Sequence, residues 1–239
     1  MISKDQLNQF SEAKELLALL LEDEGITVPR NDVIARRREG EAIPLSFTQQ
    51  RLWFLNQLEP DSTFYNIPIA IRLKGSLDVQ SLERALSELV RRHESLRTRF
   101  AVEAEQPVQV IVSDAKFSVA HISVTAATET EREAEVTRLI DREVDQPFDL
   151  QAGALFRASL LRVNAEEHVL VLTIHHIVSD GWSAGVLFRE LGTLYAAYAA
   201  GEESPLPELP VQYADYAVWQ RDYLRGEMLN AQVEYWRER

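Results

Sequence analysis

The chain has 239 residues, of which 46% are hydrophobic and 26% are charged, a balance typical of a folded protein with a sizeable core. Its formal net charge of -13 disfavours binding to nucleic acid or anionic lipid, and the absence of cysteine excludes disulfides, thiolate metal sites and cysteine nucleophiles. The charged N-terminal segment lacks the apolar core of a secretion signal and no apolar run approaches the roughly 20 residues that cross a bilayer, so we expect a soluble, cytoplasmic protein.

Residues 1–42 are predicted to form a helix and a linker. The helix is expected from about Lys4 to Asp23, because its leucines share one face and Gly25 follows as a stop signal. The next stretch is polar and broken by prolines, as is typical of a linker. Its run of three arginines, Arg36 to Arg38, is interpreted as solvated surface.

Six elements are predicted after residue 42. SFTQQRLWFLNQL is expected to be a helix that Ser46 or Thr48 caps, with Leu52, Leu55 and Leu58 spaced for burial. A strand in IPIAIRLKG and a strongly amphipathic helix in SLDVQSLERALSELVRRHE follow. Three successive strands are then expected in LRTRFAVE, PVQVIV and FSVAHISV.

The rest of the chain adds a hairpin and further helices. A charged helix is expected from Glu129 to Asp145, followed by a hairpin of ALFRASLLRV and EHVLVLTIHH. The segment WSAGVLFRELGTLYAAYAAG predicts a helix, and a last helix begins at about Gln212. The fold class is therefore α/β (α+β), a mixed sheet with helices packed on it. Because the chain ends at a helix without a closing strand, we interpret it as a truncated domain.

Two adjacent histidines, His175 and His176, end the apolar strand HVLVLTIHH. This strand is expected at the centre of the sheet, covered on both faces. Because successive side chains of a strand point to opposite faces, at most one histidine can face a reaction space, and the other should be a hydrogen-bonded structural residue. Asp180 is a typical helix N-cap that can also pair with an arginine, and Gly181 is then a permissive turn residue.

Three kinds of site lack support in this pattern. A metal site on the histidines and Asp180 has no third ligand nearby and no zinc-type spacing. Ser179 and Ser183 do not lie in the G-x-S-x-G elbow of a serine hydrolase, and no glycine-rich phosphate loop is present. The remaining hypothesis is a histidine that acts without a protein nucleophile, in a direct transfer between two bound substrates.

The stretch HHIVSDG resembles the HHxxxDG signature of the condensation domains of nonribosomal peptide synthetases, which are similar to chloramphenicol acetyltransferase. Four further blocks resemble that family in its order: LSFTQQRLWFLNQLEP, YNIPIAIRLKG, RRHESLRTRF and VQYADYAVWQRDYLRGE. The resemblance covers about residues 43–239 and implies the N-terminal lobe of a two-lobed domain, with the second lobe absent. It is greatest to the type that joins two L-residues.

Three alternatives stay open at this point. A starter condensation domain would take a fatty acyl donor. A non-catalytic docking module would keep the fold without the chemistry. A free-standing acyltransferase would use coenzyme A, although the YNIP and YADYAVWQR blocks favour the synthetase family.

The resemblance also implies roles for individual residues. His176 takes the place of the family's active histidine, His175 that of its structural neighbour, and Asp180 that of an aspartate that is usually salt-bridged. Gly181 lies where the loop lines the substrate tunnel.

The remaining site residues are expected beside this motif. Trp182 and Ser183 are candidate substrate-binding residues, with Trp182 serving packing more than chemistry. Arg97 is a candidate ion-pair partner of Asp180 or a support of its loop.

By resemblance, the chain is part of an acyltransferase that forms peptide bonds in secondary metabolism such as antibiotic biosynthesis. No cofactor is expected to bind directly, because the substrates arrive on the phosphopantetheine arms of donor and acceptor peptidyl carrier proteins. Further partners are the C-terminal lobe and an adjacent adenylation domain, with no nucleic acid and no membrane. Two groups of arginines are candidates for docking the carrier proteins: Arg36 to Arg38, and Arg91 with Arg92. The alternative interpretation is that both groups are solvated surface charge. An isolated lobe is expected to be weakly active or inactive.

Overall fold

The computed structural model describes residues 33–239. The chain divides into two units after Ile34, and all the helices and strands that the structure describes lie in the second unit, Ala35–Arg239. The helix predicted from Lys4 to Asp23 and its stop at Gly25 lie outside the described residues. The domain boundary that we place between residues 42 and 43 stays a prediction.

The second unit contains seven strands and six α-helices in its described residues. The strands are β1 (Ile43–Pro44), β2 (Asn66–Lys74), β3 (Thr98–Glu103), β4 (Gln106–Ile111), β5 (Val119–Ser123), β6 (Phe156–Asn164) and β7 (Glu167–His175). The helices are α1 (Phe47–Leu58), α2 (Val79–Arg92), α3 (Glu129–Val144), α4 (Gly181–Ala199), α5 (Tyr213–Tyr223) and α6 (Gly226–Arg237), with a short 3-10 turn at Glu94–Arg97. Within residues 33–239, none of these helices combines the length and the apolarity that crossing a bilayer requires.

The strands form two sheets. The larger has the order β2-β7-β6-β5, in which β5 and β6 are parallel and the other pairs are antiparallel. This mixed sheet with packed helices confirms the predicted fold class. The smaller sheet, β1-β4-β3, is antiparallel and was not expected as a separate sheet. It arises because the β3-β4 hairpin pairs with the short β1 and leaves β2 to pair with β7.

Strand β7 lies in the middle of the larger sheet, and its residues from His168 to His175 are all buried. Its even-numbered side chains, such as Leu170 and Leu172, belong to the main core with leucines of α2 and α4. Its odd-numbered side chains, such as Val169 and Val171, form a second core with α3. Burial of each such side chain is worth about 1.5–3 kcal/mol, so both faces fix the register that carries the histidines at the end of the strand.

Two helices differ from their predicted form. A capping box of Ser46 and Gln49 begins α1 and Leu52 is buried, but Leu58 is 64% exposed because the end of the helix extends beyond the core. The predicted last helix is two helices, α5 and α6. The break falls at Gly226, whose φ of +57° is a left-handed conformation that glycine tolerates.

Candidate active site

An open cavity of about 580 Å³ lies at the C-terminal end of β7. Its walls come from four segments: the start of α1, the turn after α2, the stretch from His176 into α4, and the loop that leads into α5. The cavity therefore brings together four of the five sequence blocks that carry the resemblance, which are far apart in the chain.

His176 is exposed at this cavity, in the turn that follows β7. Its backbone N–H donates to the carbonyl oxygen of Tyr65 at 2.8 Å, which fixes the turn against the chain entering β2. Its Nδ1 lies 2.8 Å from the carbonyl oxygen of Ser179. Because a carbonyl oxygen can only accept, Nδ1 carries the proton, and in the neutral ring Nε2 keeps the lone pair.

His175 points the other way and is 2% exposed. Its ring packs edge-on against Phe148, with 6.0 Å between ring centroids, and its Nδ1 accepts the backbone N–H of Ile177 at 3.1 Å. Burial, with a smaller contribution from the charge of His176, lowers the pKa of His175 to about 4. A neutral His175 therefore supports the turn, as the alternation of strand side chains predicts.

Asp180 is the N-cap of α4. Its carboxylate accepts the backbone N–H of Ser183 at 2.8 Å and the hydroxyl of Ser183 at 2.6 Å. These two hydrogen bonds, with a weaker attraction to His176, lower the pKa of Asp180, so its side chain is ionised near neutral pH. Ser183 is thus committed to the cap, and its hydroxyl positions Asp180 at the edge of the cavity.

Arg97 does not pair with Asp180, and that prediction is wrong. Its guanidinium donates to the carbonyl oxygens of Arg91 at 3.2 Å and Val112 at 3.0 Å. These bonds join the end of α2 to the end of β4. Across residues 33–239, no arginine forms an ion pair with Asp180, whose charge is balanced by hydrogen-bond donors instead.

Two further expectations about this motif need correction. Gly181 is the first residue of α4 without a left-handed φ, and a Cβ at this position would meet nothing within 4 Å, so no permissive backbone is needed here. Trp182 is 85% exposed because the first turn of α4 projects beyond the core. Its predicted packing role is therefore wrong, and its indole lies in the cavity wall beside Ser183.

Residues that the sequence reasoning did not single out complete the cavity. Tyr213 and Tyr216, on the first turn of α5, line it, and the Tyr213 hydroxyl lies 3.0 Å from Ser46 Oγ. Burial raises the pKa of Tyr213, so the phenol stays protonated near neutral pH. The signal was available in YADYAVWQR, where two tyrosines three residues apart share one helix face.

His93 also lines the cavity, and its Nε2 lies 2.7 Å from Glu190 on α4. The same carboxylate accepts from Arg92, which is 5% exposed. Arg37 likewise forms internal ion pairs, with Glu94 and Asp215. The interpretation of Arg37 and Arg92 as solvated surface is therefore wrong, and both charges are used inside the fold.

The site offers an exposed imidazole in an open cavity. Within the described part of the chain, no group of three histidine, aspartate or glutamate side chains is arranged to hold a metal ion. The Nε2 of His176 can accept a proton or orient an amine through a hydrogen bond. Chemically, this arrangement suits proton transfer to or from a group bound in the cavity.

Comparison with known proteins finds matches over most of this region. A family model described as "Condensation domain" matches residues 39–239. A linear gramicidin synthase polypeptide of Brevibacillus parabrevis is 51% identical over 206 residues, which are 86% of this chain and 4% of that protein. Chondramide synthase cmdD of Chondromyces crocatus is 47% identical over 200 residues, which are 84% of this chain and 5% of that protein.

Solved structures give the same fold. The X-domain from teicoplanin biosynthesis, solved in complex with OxyB, has a TM-score of 0.76 at 34% identity, over 86% of this chain and 45% of that chain. The starter condensation domain of rhizomide synthetase RzmA has a TM-score of 0.74 at 23% identity, over 83% of this chain and 48% of that chain. The chain thus spans less than half the length of these two solved neighbours.

Proposed function

The chain belongs to the condensation-domain family of nonribosomal peptide synthetases, and we propose that it supplies the catalytic histidine of an amide-forming acyltransferase. The donor is an acyl or peptidyl thioester and the acceptor is the free α-amine of an aminoacyl thioester. One observation carries the proposal: the Ser179 carbonyl holds Nδ1 of His176 and leaves Nε2 as the accepting nitrogen at an open cavity.

The reaction requires a neutral amine, whose reference pKa is about 8. The amine nitrogen bonds to the thioester carbonyl carbon while Nε2 of His176 accepts its proton. The carbon–sulfur bond then breaks, and the proton passes to the departing sulfur to give a free thiol. General-base help is typically worth about 10²- to 10⁴-fold in rate, and holding both substrates in one cavity adds to it.

The family membership supports a proposal for the partners and the surroundings as well. Two peptidyl carrier proteins present the substrates on phosphopantetheine arms, next to an adenylation domain of the same synthetase, and the reaction takes place in the cytoplasm. The exposed indole of Trp182 offers an apolar surface to a substrate side chain or acyl chain. Because the Ser183 hydroxyl donates its proton to Asp180, it can contact a substrate only as a hydrogen-bond acceptor.

A second lobe completes the site in this proposal. The cavity is open, and the chain spans 45% of the teicoplanin X-domain and 48% of the rhizomide starter domain. The second lobe would form the opposite wall and close a channel between the two carriers. The 239-residue chain alone is then weakly active or inactive, and adding the second lobe to loaded carriers should restore amide formation.

The test replaces His176 in a protein that contains both lobes. We expect His176→Ala to slow single-turnover formation of carrier-bound dipeptide by about 10²- to 10⁴-fold. His176→Gln separates two roles, because its amide oxygen can orient the amine but cannot hold a proton. Since the side chain is exposed, the thermal unfolding midpoint should stay unchanged in both variants. An unchanged rate in His176→Ala would contradict the assigned role.

A second candidate function is docking without catalysis. The X-domain of teicoplanin biosynthesis, 34% identical to this chain, was solved in complex with OxyB, which favours this alternative. Comparing donors decides among the options. Turnover with L-aminoacyl donors supports the type that joins two L-residues, turnover with fatty acyl donors alone supports a starter domain, and no turnover with either supports docking.

A further inference from the structure

Gln49 is a buried polar residue beside the candidate active site. It lies in the first turn of α1 and is only 2% exposed. Its carboxamide contacts the turn between β7 and α4, which carries His176. Because buried polar side chains are normally held by hydrogen bonds, the partners of Gln49 indicate what it supports.

The orientation of this carboxamide is fixed by its hydrogen bonds. Its Oε1 accepts the backbone N–H of Ser46 at 3.0 Å, so its Nε2 points the other way. Nε2 donates to the carbonyl oxygen of Ile177 at 3.3 Å and to Oε1 of Gln109 at 3.2 Å. Gln109 is oriented in turn, because its own Nε2 donates to the carbonyl oxygen of Pro44 at 2.8 Å. Both amide protons of Gln49 are therefore used, each on a separate acceptor.

The bond to Ile177 acts on the turn that holds the His176 ring. The N–H of Ile177 donates to Nδ1 of His175 at 3.1 Å, so hydrogen bonds hold this residue through both of its backbone polar groups. The His176 ring is bonded to the carbonyl oxygen of Ser179, two residues further along the same turn. Burial fixes the side chain of Ile177 in the core, whereas the direction of its carbonyl depends on the donor that Gln49 supplies.

We propose that Gln49 is a positioning residue, which fixes the tautomer of His176 through residues 177–179. Without the amide of Gln49, the buried carbonyl of Ile177 loses a donor, and the turn shifts toward other donors because an unpaired buried carbonyl is unfavourable. The carbonyl of Ser179 moves with the turn and releases Nδ1, and the neutral ring then exchanges between its two tautomers. Only the effect on the reaction rate rests on the proposed function, since the tautomer is a property of the 239-residue chain itself.

The first measurement is the nitrogen NMR spectrum of the histidine rings in the 239-residue chain, recorded where the His176 ring is neutral. The variant His176→Gln identifies the signals of this ring among the five histidines. We expect the parent chain to show a protonated Nδ1 and an unprotonated Nε2. Gln49→Met keeps the length of the side chain without the amide, and its His176 signals should move toward the average of the two tautomers.

Gln109→Met is the matched control. It removes a second buried amide from the same cluster, but the N–H of Ser46 still orients Gln49 toward Ile177. Both variants should lower the thermal unfolding midpoint by similar amounts, and only Gln49→Met should change the tautomer of His176. Gln49→Glu keeps the size of the side chain and supplies at most one proton to two acceptors. It should change the tautomer in the same direction, and it provides the comparison if Gln49→Met does not fold.

The second measurement is single-turnover dipeptide formation in a protein that contains both lobes. Gln49→Met should slow it by about tenfold or more, because a small displacement of a reacting group can cost up to about 10²-fold in rate. The carrier concentration that gives half the maximal rate should stay unchanged, since Gln49 is buried and acts on the turn. Gln109→Met should keep the rate of the parent.

Three results would overturn the proposal. These are parent-like His176 signals in both variants of Gln49, an equal change of tautomer in Gln109→Met, or a raised half-saturating carrier concentration as the main effect of Gln49→Met. A changed tautomer with an unchanged rate would support the positioning by Gln49 and would contradict the catalytic role of His176 instead.

Discussion

At the scale of single residues, the two adjacent histidines have different environments and different chemical roles. His175 is buried against Phe148 and accepts a backbone N–H, whereas His176 is exposed and held by a backbone carbonyl. Strand alternation predicts that the two side chains point apart, and they do, although His176 lies in the turn directly after the strand. The partner of Asp180 could not be predicted in the same way, because local hydrogen bonds to Ser183 replaced the expected ion pair.

The buried ring of His175 makes the stability of the fold depend on pH. Its pKa of about 4 in the folded state lies below the unfolded value near 6.5, so the unfolded chain takes up the proton first. The stabilisation is fully present above pH 6.5 and is lost as the pH falls toward 4, by up to about 3 kcal/mol.

Urea unfolding at several pH values between about 7.5 and 4.5 measures this effect. His175→Gln keeps an acceptor for the Ile177 amide but cannot titrate. Its free energy of unfolding should fall less steeply with decreasing pH than that of the parent chain. Parallel curves for the two proteins would contradict the assignment.

At the scale of elements, the start of α4 depends on the side chain of Asp180. Asp180→Ala removes the acceptor of two hydrogen bonds and should lower the free energy of unfolding by about 1 kcal/mol. Asp180→Asn keeps an oxygen at the same place and should lose less than about 0.5 kcal/mol, since asparagine caps helices as well as aspartate does. Chemical denaturation measures both. A large loss of unfolding free energy in Asp180→Asn would show that the negative charge of Asp180, and not its helix-capping hydrogen bonds, stabilises the fold.

The elements themselves were predictable where periodicity is strong. The helix now seen at Val79–Arg92 and the hairpin of β6 and β7 follow from patterns that both faces of the core enforce. The separate sheet of β1, β3 and β4 could not be predicted in this way, because a two-residue strand such as Ile43–Pro44 is too short to show a periodic pattern. The exposure of Trp182 could not be predicted either. Helical spacing predicts which side of a helix a residue lies on, but it does not predict how far along the helix the core extends.

At the scale of the whole molecule, one buried carboxylate joins distant parts of the second unit. Asp215 on α5 is 3% exposed and accepts from the backbone and the guanidinium of Arg37, and from the backbone N–H of Gln212. Arg37 also reaches Glu94, beside the cavity. These contacts hold α5, and with it Tyr213, against the rest of the fold.

Removing this carboxylate should therefore loosen more than one element. Asp215→Ala is expected to lower the free energy of unfolding by about 3 kcal/mol, because it leaves the cap of α5 and part of the Arg37 charge unpaired. Asp222→Ala, on the same helix at 55% side-chain exposure, is the matched control and should lose less than about 0.5 kcal/mol. Equal losses in urea unfolding would contradict the joining role of Asp215.

The hold on the His176 ring comes from the main chain of residue 179 and not from its side chain. Every amino acid brings the same carbonyl to that place. Substitutions of Ser179 that keep the backbone conformation should therefore leave the proton on Nδ1 of His176.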